Sequence, residues 1–110
     1  MLPEKAKVKG IVMALGGEDY LFAPLSLGSL EQLQDGIGAM DEKQAMDNAR
    51  VVIDMAWHSL LRNYPAFERQ EVANLVGLEN MLDIARAVMD VSGTLRKEME
   101  SKAGEARLGA

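Results

Sequence analysis

The spacing of apolar positions changes along the chain. From Val8 to Leu15 strand formers dominate: Val8, Ile11, Val12 and Met13. Gly16-Gly17 follows, and two glycines tolerate the positive φ angles of a two-residue hairpin turn. Tyr20-Leu21-Phe22 reads as the returning strand. Pro24, with no amide to give a ladder, ends it. A hairpin over about 8–23 is predicted, and it must pack on something, because a lone hairpin is marginal in water.

The remainder carries the period of helices. Leu27, Leu30, Leu33 and Ile37 form one stripe, for a helix over about 27–37 capped by Ser26, or by Ser29 with Gln32 three residues on. Gly36 and Gly38 weaken its end. A second helix is predicted over about 42–63, capped by Asp41 with Gln44 in capping-box position. Its expected inner face is Met46, Ala49, Ile53, Ala56, Trp57, Leu60 and Tyr64, and Pro65 stops it. Val51, Val52, Met55 and Leu61 lie off that stripe. Apolar residues on two sides imply central burial or a partner.

A short helix over about 68–75 is broken by Gly77. A last helix over about 78–92 should turn Leu78, Met81, Leu82, Ala85, Val88 and Met89 inward, with Gly93 as its C-terminal cap. Residues 94–110 read as a polar, partly disordered extension, with Glu98 and Lys102 as a favourable i,i+4 pair. The expected fold is mainly α with a small N-terminal β-hairpin (α+β): about four helices packed as one small domain over 1–93.

Composition narrows the function. With 110 residues and 48% hydrophobic content, the chain has material for one core. Its net charge of −5 repels phosphate backbones, which argues against a DNA-binding regulator. In the 94–110 tail four basic residues against three acidic ones leave only +1, which is no nucleic-acid arm. The absence of cysteine removes disulfides, thiolate metal sites and cysteine nucleophiles. No signal-peptide core and no apolar run of spanning length is present, so a cytoplasmic protein off the membrane is expected.

Candidate chemistry is sparse. His58 is the only histidine, and Asp54 precedes it by four residues, so the two could share a helix face for acid–base work. The plainer reading is a surface ladder of Asp54, His58 and Arg62. One histidine without cysteine does not fill a usual zinc shell. No calcium loop, dinucleotide fingerprint or phosphate loop occurs, so no cofactor and no enzymatic role are expected. Trp57 should be core, or else a binding anchor. Among eight methionines, Met46, Met81 and Met89 are expected to fill the core.

The order of features is informative. A glycine turn leads to an aromatic strand, Tyr20 to Phe22, then to Ala23-Pro24-Leu25-Ser26-Leu27 and a leucine-rich helix. A helix from Ile53 to Leu61 closes on Arg62-Asn63-Tyr64-Pro65. Glu71-Val72 leads through Leu75-Val76-Gly77-Leu78-Glu79-Asn80 to a helix ending Val91-Ser92-Gly93. This series, over roughly residues 8–93, resembles the tail assembly chaperones of siphovirus-type bacteriophages and their prophages. The resemblance implies a non-enzymatic protein of the host cytoplasm. Such a protein binds the tape measure protein, keeps it soluble and helps recruit tail tube subunits, without entering the mature virion. It also implies that a longer frameshifted form could extend the tail. The candidate partner-binding residues, chosen from the pattern alone, are Leu25, Leu27, Met55, Leu61, Tyr64 and Pro65. Self-association is a further expectation. The alternative is a structural or connector subunit of the phage particle.

Overall fold

Strands β1 (Ile11–Leu15) and β2 (Glu18–Phe22) pair antiparallel with Leu15 opposite Glu18, so only Gly16 and Gly17 lie in the turn. Their φ angles are +59° and +85°, the double left-handed geometry of the turn that matches strand twist. The computed structural model describes residues 2–3, 5–38 and 45–93. Along the hairpin, side chains alternate as a pleat requires. Met13, Leu15, Tyr20 and Phe22 face the core, while Val12 and Ala14 face outward.

After the Pro24 elbow comes α1 (Leu27–Gly38). The structure selects Ser26 as its cap: Ser29 N donates to Ser26 Oγ at 3.1 Å and Leu30 N to Ser26 O at 2.9 Å. Leu30, Leu33 and Ile37 are half-buried against the core, but Leu27 points away and is 70% exposed. At Gly36 a Cβ would stand 3.1 Å from Val51 Cγ2, so the missing side chain lets α1 lie close to the second helix.

That helix, α2 (Ala45–Leu61), is the centre of the fold and touches α1, α3 (Arg69–Leu75) and β2. Its expected cap at Asp41, the box at Gln44 and the Met46 side chain lie outside the described residues. The inner face differs from the expected one. Val52, Met55, Ala56, Ser59, Leu60 and Asn63 are buried, while Ala49, Ile53, Trp57 and Tyr64 are half-buried. On its second apolar side Val52 and Met55 are buried in the core, and Val51 and Leu61 are half-buried. Neighbours on several sides rotate the fully buried stripe onto Val52 and Met55.

At the start of α3 Glu68 N donates to the Glu71 carboxylate at 3.2 Å, one arm of a capping box. Gly77 separates α3 from α4, whose described residues run 81–93. Gly77 N donates to Asn80 Oδ1 at 2.7 Å, and Asn80 Nδ2 donates to Leu75 O at 2.9 Å, so one amide secures the corner. Gly93, expected as the C-terminal cap, is still helical. The expectations for 94–110 lie outside the described residues.

The α4 face also needs correction. Ile84, Ala87 and Val88 are buried, and Met81 and Ala85 are half-buried. Leu78, Leu82 and Met89 are exposed by 76%, 66% and 41%. Two apolar stripes run along this helix, and the core takes the one through Ile84 and Val88. The cluster of Leu15, Tyr20, Phe22, Leu25, Val52, Met55, Leu60, Val72, Ile84 and Val88 draws on both strands, the elbow and three helices. The fold is α+β and mostly helical, as its patterning predicts.

Candidate functional site

Arg62-Asn63-Tyr64, at the end of α2, fastens three separate parts of the chain. Arg62 Nη1 donates to Pro24 O at 2.9 Å, holding the elbow. Asn63 Oδ1 accepts from Val8 N at 2.9 Å, and its Nδ2 donates to Val8 O at 2.7 Å. Tyr64 Oη accepts from Leu21 N at 3.1 Å, at the edge of β2. The motif that ends the helix is therefore a joint of the fold, and Tyr64 is half-buried within it.

Neighbouring bonds close the same region. Ser59 Oγ donates to Ala23 O at 2.7 Å, and Leu25 N donates to Ser92 Oγ at 2.9 Å. The elbow is thus clamped between α2 and α4 by two buried hydroxyls. Tyr20, Tyr64 and Phe67 pack as an aromatic cluster with centroids 5.1 to 6.2 Å apart. Trp57 is half-buried, and its Nε1 donates to Phe67 O at 3.0 Å, which makes it part of the same joint. Among the described residues, every buried side-chain nitrogen and oxygen has a hydrogen-bond partner.

Burial sorts the six candidate contacts. Met55 is 0% and Leu25 2% exposed, so both are core and neither can meet a partner in this fold. They read as surface candidates because an apolar residue off one stripe can equally lie on a second buried one. Leu61 and Tyr64 are half-buried, whereas Leu27 and Pro65 are exposed. The exposed stripe of Leu78, Leu82 and Met89 was not among the candidates, although its spacing of four and seven residues is visible in the chain.

Asp54, His58 and Arg62 each bond to a partner outside the expected ladder. Asp54 Oδ1 pairs with Arg69 Nε at 2.6 Å, joining α2 to α3, and Arg62 serves Pro24. His58 Nδ1 lies 2.7 Å from Ser29 Oγ, which also accepts from Ser26 Oγ at 3.0 Å. A serine and an imidazole at this distance have the geometry of a nucleophile and its base. Here the acid available to orient the imidazole is bonded to Arg69, and Ser26 is occupied as the α1 cap. The contact joins the first turn of α1 to α2.

Among the described residues no group of three His, Cys, Asp or Glu side chains could hold a metal ion. Among them, too, no helix is long and apolar enough to cross a membrane. No protein-family model, no curated protein and no solved structure matches the chain.

Proposed function

We propose that this chain is a tail assembly chaperone of a siphovirus-type phage or prophage. It binds the tape measure protein, keeps it soluble and helps recruit tail tube subunits around it. It acts in the host cytoplasm and leaves before the virion is complete.

One observation carries the reading: large apolar side chains remain outside a finished core. Ile11, Val12, Leu27, Leu78, Leu82 and Met89 are exposed, although among the described residues every buried side-chain nitrogen and oxygen has a partner. Such exposed residues suit a partner with apolar surface. A tape measure protein is long and helical, and it is uncovered until the tube forms around it. The charge of −5 would keep a coated client dispersed. Leu27, Leu61, Tyr64 and Pro65 are the candidate client contacts that the fold leaves accessible in whole or part.

Comparing assembling and finished particles tests the reading. This chain should co-purify with the tape measure protein from infected cells and be missing from purified virions by quantitative mass spectrometry. A fixed copy number in purified virions would replace the chaperone with a structural or connector subunit.

A further inference from the structure

Leu78, Leu82, Ala85 and Met89 follow one another at intervals of four, three and four residues, the a/d spacing of a coiled-coil seam. Leu78 precedes the first residue of α4 but belongs to its spiral, because Met81 N donates to Gly77 O at 2.9 Å, an i→i−4 bond. The core occupies the other side of α4 through Ile84 and Val88. Ala85 is half-buried at the inner edge of the seam, and the other three seam residues are exposed.

We propose that this seam binds a second copy of the chain as an antiparallel, two-fold helix pair. In an antiparallel pair each a layer meets a d layer. Leu78 then packs on the partner's Met89, and Leu82 fills the space over the partner's Ala85. Each contact occurs twice.

Charge selects both the occupant and its direction. Glu79 and Arg86 are exposed and occupy the two e positions beside the seam. Antiparallel pairing brings e against e, which places Glu79 beside the partner's Arg86 and Arg86 beside the partner's Glu79. Parallel pairing would set these charges against g positions, which here are Met81 and Val88 on the core side. A seam whose flanking charges complement themselves on a two-fold rotation fits a copy of itself, and a two-fold contact closes as a dimer. The seam is short against the roughly 1,000 Å² of a stable interface, so association is reversible, with a dissociation constant on the order of 10 µM or weaker. The inference does not rest on the chaperone reading; it assigns Leu78, Leu82 and Met89 to self-association and leaves Ile11, Val12 and Leu27 exposed for a client.

Sedimentation equilibrium of the full chain over a wide concentration series tests it. The chain should pass from monomer to dimer. Leu82→Glu should weaken dimerisation by about tenfold or more while circular dichroism and the unfolding midpoint hold, because the site is exposed. Glu79→Arg and Arg86→Glu should each weaken it alone, and mixing the two variants should restore association, since each carries the charges that the other lacks. A monomer at every concentration would overturn the proposal. So would a dimer indifferent to Leu82→Glu, or two charge variants that stay apart when mixed.

Discussion

Asn63 holds Val8 by both of its backbone groups, accepting from its N–H at 2.9 Å and donating to its C=O at 2.7 Å. A side-chain amide thus replaces the strand neighbour that Val8 lacks, 55 residues away in sequence. Asn63→Ala removes both bonds and leaves two partly buried backbone groups unpaired. The expected loss is about 1–3 kcal/mol, read as a lower urea midpoint at unchanged slope. An unchanged midpoint would mean that the N-terminal segment is not held by this residue.

Two glycines should respond in opposite ways. A Cβ at Gly10 would collide with the Phe22 carbonyl and stand 2.9 Å from Ala23 Cα, both backbone. Gly10→Ala should therefore cost about 2 kcal/mol or more. Gly16 has φ +59°, and a Cβ there would meet only Leu75 Cδ2 at 3.8 Å. Asparagine is the residue that best tolerates this geometry at the first turn position, so Gly16→Asn should lie within about 0.5 kcal/mol of the parent. Thermal melts of both variants check the contrast.

Burial raises the pKa of the Tyr20 hydroxyl, and the Glu18 charge and its hydrogen bond to the hydroxyl add to the rise. The folded protein therefore keeps this proton at a pH where the unfolded chain releases it. The contribution to stability is complete below about pH 10, the ordinary tyrosine value, and is lost as pH rises towards the folded value. Denaturant midpoints measured from neutral pH to beyond this point should fall, and Tyr20→Phe should flatten the fall.

Ser29 and His58 should behave as a dock between helices. Ser29→Ala is expected to cost about 1 kcal/mol. The parent should show no labelling of Ser29 by a fluorophosphonate. Stoichiometric labelling there would replace the dock with a nucleophile.

Elements were more legible in the chain than faces were. The Gly16-Gly17 pair, Pro24 and Gly77 punctuate it physically, so the hairpin and the helices lie close to where periodicity puts them. The faces of α2 and α4 were not legible, because each helix carries apolar residues over more than one stripe. Tertiary contacts chose between the stripes, taking Met55 inward and leaving Leu78 and Leu82 outside. Ser59 and Asn63 were hidden for another reason. They are buried to satisfy backbone groups at Ala23 and Val8, which are 36 and 55 residues distant, and no local pattern announces such partners.

Co-expression with a siphovirus-type tape measure protein tests the proposed chaperone role most directly. The tape measure protein should be insoluble alone and soluble with this chain, and should elute with it as one complex in size exclusion with light scattering. Leu27→Glu should weaken that complex without unfolding the chain. A tape measure protein that stays insoluble, while this chain elutes alone and folded, would contradict the account.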